Sequence, residues 1–260
     1  MLKKLFITIG WMRFGQNVRS GGSKLLKMLP SYDSPILVAG CQRSGTTILT
    51  KILSKNSGIK SYEFGYDEEL DAALVLSGRI KKEIDGRYCF QTTYLNNSYK
   101  EYYDHSNYKL IWVVRSPKSV VYSMVYNWTT FALNELYEHC GKQYASEKDK
   151  LEIDQRKNKS LSKIKKACYS YFAKSKQLLE LKEKLSEDKL LIVEYESIVN
   201  NASNEIQRIN SFLNIQNRNK ASELMNRESL SKASRLSNRE VEIIDSICKD
   251  SYSKMKKVVK

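Results

Sequence analysis

The sequence predicts an α/β fold: a parallel sheet with helices on both faces and a P-loop-like nucleotide site. Three observations predict it. Short, near-continuous apolar runs recur at Ile36–Ala39, Leu110–Val114 and Leu190–Val193, as strands buried on both faces require. Each is followed by a segment with apolar residues at helical spacing. The first run leads into a glycine-containing loop that opens a helix, the local order in which α/β proteins hold phosphates.

The elements follow in order. Pro30 to Pro35 is a turn-rich break before the first strand. After the strand and the loop Gly40–Gly45, the residues Ile48, Leu49, Ile52 and Leu53 mark a helix, with Gly58 just beyond its end. Ile59 to Phe64 and Tyr88 to Phe90 are candidate further strands. Leu110–Val114 is rich in β-branched residues. Ser116 then caps a helix that Pro117 begins and whose apolar face is Val120, Val121, Met124 and Val125. Leu161 to Leu185 reads as one long amphipathic helix. The last strand precedes a helix carrying Ile206, Ile209, Phe212 and Leu213. Asn127 to Ser160 is polar and weakly periodic, which suggests a lid or substrate loop.

The 260 residues divide into an N-terminal helical extension, 1–34, and one enzyme-sized domain, 35–260. A net charge of +15 attracts polyanions; no nucleic-acid motif accompanies it, so a nucleic-acid partner is not expected. Five widely spaced cysteines form no C-x-x-C pair and, with only two histidines, argue against a disulfide framework or a bound metal. A reducing, cytoplasmic setting fits best. Leu5 to Trp11 is too short to span a bilayer, which takes about 20 apolar residues. The basic residues that follow leave two readings for 2–29: peripheral contact with an anionic membrane, or a helix packed on the domain.

The loop Gly40-Cys41-Gln42-Arg43-Ser44-Gly45-Thr46-Thr47 has the spacing of a nucleoside-triphosphatase loop, but Thr46 stands at the lysine position. The cradle is kept while the group that serves β- and γ-phosphates is lost, and Arg43 lies inside the loop. Arg115 ends a strand, where open α/β sheets bind ligands, and Ser123 follows on the next helix.

Arg43-Ser44-Gly45-Thr46-Thr47 resembles the 5′-phosphosulfate loop of the sulfotransferases that use 3′-phosphoadenosine 5′-phosphosulfate (PAPS), especially the bacterial, carbohydrate and tyrosylprotein branches. Arg115-Ser116-Pro117 with Ser123 is similar to that family's 3′-phosphate motif, and Val193-Glu194-Tyr195-Glu196 to its tyrosine-bearing segment. The resemblance implies sulfonate transfer from PAPS without a metal. Arg43 and Ser44 to Thr47 would hold the phosphosulfate, Arg115 and Ser123 the 3′-phosphate, and Tyr195 would lie near the adenine or that phosphate. In the segment Phe90–Thr93, Gln91 replaces a lysine found in some members, leaving Arg43 to neutralise the leaving group. The family's cytosolic R-K-G motif is absent; Lys232 and Arg235 are candidates to serve instead.

Removal of the acceptor's proton needs a positioned base. Glu63, one helix after the loop, matches the glutamate of the tyrosylprotein branch; His105, His139 and Glu138 are alternatives. The acceptor, whether glycan, lipid, peptide or small metabolite, is not legible. Two other function classes stay open at this stage, a nucleotide kinase or ATPase and a basic nucleic-acid-binding protein.

Overall fold

The computed structural model describes residues 2–55, 58–62, 67–81, 85–155, 159–215 and 228–259. Side chains along a strand alternate between faces, and here both faces are apolar. β1 (Ile36–Gly40), β2 (Ile59–Lys60), β3 (Arg87–Gln91), β4 (Lys109–Val114) and β5 (Leu190–Glu194) form a five-stranded sheet in the order β2-β3-β1-β4-β5. Every neighbouring pair is parallel, with Leu37 opposite Phe90 on one side and Leu110 on the other.

The pleat sorts the core into two layers. Leu37, Phe90, Leu110 and Trp112 pack with the N-terminal segment, α3 (Glu68–Leu76), α4 (Pro117–Tyr126), α7 (Lys159–Lys184) and α11 (Asn238–Val258). Ile36, Val38, Ile111 and Val113 face the other way, onto α2 (Thr46–Ser54), α8 (Tyr195–Asn200) and α9 (Ala202–Leu213). α10 (Glu228–Ser231) runs into a 3-10 turn, Lys232–Arg235, that packs on α4. The expected α/β architecture is therefore present. β1 lies between β3 and β4, so the chain leaves it in one direction and later returns on the other side. That switch point opens a crevice at the strands' carboxyl ends.

The N-terminal helix α1 (Leu2–Phe14) packs on the domain. Phe14 sets its ring edge-on to Tyr94 at 6.1 Å and Trp11 edge-on to Phe14 at 5.6 Å. Arg19 donates to the Tyr94 carbonyl at 2.7 Å. The opposite side of α1 exposes Leu5, Phe6 and Met12. Among the described residues no helix is long and apolar enough to cross a membrane. All five cysteines are free and buried.

Two expectations change. The stretch 127–160, read as a lid or substrate loop, is largely helical over its described residues. It folds into α5 (Thr130–Leu136), a π turn at Tyr137–Gly141, a 3-10 turn at Lys142–Tyr144 and α6 (Glu147–Gln155). Leu133, Leu136, Tyr137 and Cys140 are buried, and Lys165 of α7 pairs with Asp149 at 2.6 Å. The long helix α7 thus supplies the partner surface that the polar sequence hides. Of the strand expected at 59–64, the described residues show Ile59–Lys60, and Glu63 lies outside the described residues.

Candidate nucleotide and acceptor site

The loop after β1 turns tightly because Ser44 N–H bonds the Cys41 carbonyl at 3.0 Å. Gly45 caps α2 with φ 104°, a conformation glycine adopts without a side-chain clash. A β-carbon there would lie 2.3 Å from the Tyr195 ring, so the absence of a side chain lets the loop close against that tyrosine. Arg43 holds a left-handed φ of 71°, strained for a non-glycine residue and typical of over-determined functional sites. α2 presents its first N–H groups to the crevice, a ready anion cradle.

Around this cradle the sequence's candidates converge. Arg43 Nε donates to Ser123 Oγ at 3.1 Å. Arg115 donates to the Arg43 carbonyl at 3.2 Å and to the Ser229 carbonyl at 2.7 Å. Its guanidinium sits 4.2 Å from the centroid of the Tyr195 ring, and the Tyr195 hydroxyl meets Ser229 Oγ at 2.8 Å. Thr47 Oγ1 donates to Gln91 Oε1 at 2.9 Å. Burial and, next, the charge of Arg115 lower the Arg43 pKa from its usual value, while Glu69 opposes the shift. Burial also lowers that of Arg115. Two guanidinia forced together in a desolvated crevice favour a polyanion between them.

Arg43, Gly45, Thr46, Thr47, Arg115, Ser123 and Tyr195 all line one cavity of about 460 Å³. Gln91, Lys51 and Lys232 line it too; Lys51 is paired with Glu68 at 2.9 Å. A phosphorylated nucleotide fits this donor set. Arg115 Nε is buried with no hydrogen-bond partner, and buried polar atoms left in that state are costly unless something fills them; Ser44 Oγ is likewise unpartnered, although Ser44 does not line this cavity. Among the described residues no cluster of three or more His, Cys, Asp or Glu side chains is placed to hold a metal ion.

A second cavity of about 610 Å³ adjoins the first and shares Gln42, Arg43, Asp67, Glu69 and Trp128 with it. Its outer wall is α1, through Ile7, Thr8 and Trp11. Glu69 is partly buried on this shared wall. Burial and, next, the charge of Asp67 raise its pKa to about 7, against the pull of Thr93, Lys174 and Arg19. Glu69 and Gln42 were not legible as site residues. Asp67-Glu68-Glu69 reads simply as a helix start, and Asp67 does accept from Leu70 N–H as the cap of α3. His105 and His139 lie outside both cavities, and His139 pairs with Glu135 at 3.5 Å.

A family model described as "Sulfotransferase domain" matches residues 33–258. The chain belongs to the sulfotransferase family. Among solved structures, a mouse sulfotransferase complexed with PAP superposes with a TM-score of 0.51 at 17% identity, over 90% of this chain and 93% of that one. A sulfotransferase from Mycobacterium avium gives a TM-score of 0.55 at 10% identity, over 85% and 76%. A sulfotransferase domain from the curacin biosynthetic pathway gives 0.50 at 13%, over 86% and 96%. These likenesses bear on the fold. No curated protein is significantly similar in sequence. As a sulfotransferase the protein is an enzyme that moves a sulfonate group from PAPS to an acceptor. A kinase or a non-enzymatic nucleic-acid binder is thereby set aside.

Proposed function

We propose that the 460 Å³ cavity is the PAPS site and that its residues divide as their positions suggest. The loop N–H groups, Ser44, Thr46, Thr47 and Arg43 hold the 5′-phosphosulfate at the N-terminus of α2. Arg115 and Ser123 hold the 3′-phosphate, with Tyr195 backing Arg115 beside the adenine. The observation that carries this reading is the convergence of Arg43, Ser123 and Arg115 on one cradle whose buried hydrogen-bonding atoms are unfilled. PAPS, when bound, supplies an electrophilic sulfur attached to a phosphate leaving group. Arg43 neutralises the charge that gathers on that phosphate, in a crevice where water does not screen it. Gln91, fixed by Thr47, adds a neutral amide donor at the same wall.

The acceptor's proton goes to a carboxylate of the stretch that runs from the end of α2 into the first turn of α3. Glu63 is the assignment from sequence position. A specific observation favours a second one: Glu69 lies on the wall between the two cavities, and its raised pKa suits a base working near neutral pH. Its neighbours are already engaged, Asp67 as the cap of α3 and Glu68 with Lys51.

The enzyme is further proposed to work in the cytoplasm, where its five buried thiols stay reduced. There it is proposed to touch anionic membrane through α1, whose exposed Leu5, Phe6 and Met12 accompany exposed Arg13. Calorimetry tests the donor site directly. Adenosine 3′,5′-bisphosphate should bind without a divalent ion and far more tightly than ATP with Mg²⁺; the reverse preference would overturn the assignment.

A further inference from the structure

The cavity beyond Arg43 has a composition that selects among acceptors. Its rings are Trp11, Tyr94, Tyr126, Trp128 and Phe131, and its amides are Gln42, Asn96 and Asn127. Gln42 Oε1 is buried with no hydrogen-bond partner, while its amide nitrogen donates to the Thr93 carbonyl at 3.0 Å. That same nitrogen reaches Glu69 and Asn96 only at 3.4 Å. Asn96 sits at φ 46° and ψ −117°, a strained backbone held by Gln177 through its carbonyl at 3.0 Å. Strain maintained in this way clusters at ligand sites.

Each acceptor class meets this wall differently. An apolar phenol or steroid offers a single hydroxyl to a wall that carries Gln42, Asn96, Asn127 and Glu69, so most of that polar surface would be covered without a ligand partner, which costs free energy. An anionic glycan or phospholipid headgroup would face Asp67, Glu69 and Glu135. The cation Arg19 is already engaged by Glu135 at 4.0 Å and by the faces of Trp11 and Phe14. An ammonium group would meet the guanidinium groups of Arg19 and Arg43 on the same walls that carry Asp67, Glu69 and Glu135, so this mixed lining matches no single charge. An uncharged sugar meets none of these penalties. Its several hydroxyls can both donate to and accept from the Asn96, Asn127 and Glu69 side chains of this wall, and its C–H face suits the indole and phenyl rings. A cavity of about 610 Å³ is of the size that takes one small ligand.

Resting on the sulfotransferase reading, we propose that this cavity is the acceptor site and that it takes an uncharged sugar, a hydroxyl of which receives the sulfonate. The hydroxyl oxygen forms the new bond to sulfur, the bond from sulfur to the donor's phosphate oxygen breaks, and the hydroxyl proton passes to the carboxylate on the shared wall.

The test is transfer from radiolabelled PAPS to a panel. It contains methyl glycosides of neutral hexoses and their β-linked dimers, a heparosan oligosaccharide, p-nitrophenol and a long-chain alkylamine. The best neutral glycoside should exceed every other class by about 100-fold in kcat/KM, as a site built around hydroxyl partners discriminates strongly. Phe131→Ala should raise the glycoside KM about tenfold while the Kd for adenosine 3′,5′-bisphosphate stays within twofold. A phenol, amine or anionic sugar that matches the best neutral glycoside overturns the proposal, as does a Phe131→Ala enzyme with unchanged KM. Nucleotide binding without transfer to any neutral sugar also overturns it, whereas loss of nucleotide binding itself would strike the sulfotransferase reading instead.

Discussion

Arg43 and Ser123, 80 residues apart in the chain, are joined by a hydrogen bond of 3.1 Å from Nε to Oγ. Arg115 reaches the same loop through the Arg43 carbonyl. The two halves of the proposed donor site, one after β1 and one after β4, are therefore a single hydrogen-bonded unit without a nucleotide. Such preorganisation lowers the cost of ordering side chains on binding.

Arg115→Ala should weaken binding of adenosine 3′,5′-bisphosphate by about 1.5–3 kcal/mol, the range for hydrogen bonds to charged groups. Adenosine 5′-monophosphate should lose little, because it lacks the 3′-phosphate. Calorimetry with both ligands checks this, and equal losses would remove Arg115 from that role.

Gly45→Ala should damage both fold and donor binding. The positive φ alone costs on the order of 1–2 kcal/mol for a residue with a β-carbon, and the new carbon would press into the Tyr195 ring. Melting temperature and nucleotide affinity should both fall. Adding Tyr195→Ala should recover only part of the melting temperature, since the backbone penalty stays. A single variant that melts and binds as the parent does would refute the packing argument.

Glu63→Gln and Glu69→Gln separate the two base assignments. The true base should lose about 10²-fold or more in kcat with donor affinity nearly intact; the other variant should stay within a few-fold. If Glu69 is the base, the parent's rate should rise through about pH 7 as the carboxyl ionises. That acid limb should disappear with Glu69→Gln.

Glu69 also carries a stability signature. Its folded-state pKa lies above the ordinary carboxylate value, so between the two the folded state binds more protons than the unfolded one. Stability should therefore fall as pH rises from about 4.5 toward about 7 by this group's contribution. Melting curves at both ends of that window should show a smaller decline for Glu69→Gln than for the parent. An equal decline would indicate that the carboxyl is not held protonated by the fold.

Vesicle sedimentation tests α1. Vesicles with anionic lipid should retain the protein more than purely zwitterionic ones. Replacing Leu5 and Phe6 by serine should release it without changing nucleotide affinity. Retention that ignores both lipid charge and these residues would count against membrane contact.

What the sequence showed was whatever is local. β1, its loop and α2 lie consecutively, and Arg115-Ser116-Pro117 carries its own helix start, so each half of the donor site could be read from a few adjacent residues. The acceptor cavity is different. Trp11, Glu69, Asn96 and Phe131 come from four separate segments, and nothing in any one of them announces the others. The helices in 127–160 were hidden for a related reason. They are short, and α6 carries only Leu151 and Ile153 as apolar residues; they are stabilised by packing on α7, as buried Tyr137 and Leu133 show. Glu69 was masked by a sufficient simpler explanation, the acidic first turn of α3.

The match to the sulfotransferase domain begins at residue 33, yet α1 forms a wall of the second cavity. The part of the molecule shared with its kin thus carries the donor chemistry, while a border of the other substrate's room is drawn by a segment outside that shared part. Changes confined to α1 would therefore be expected to reshape the second cavity while leaving the proposed donor residues Arg43, Arg115 and Ser123 in place.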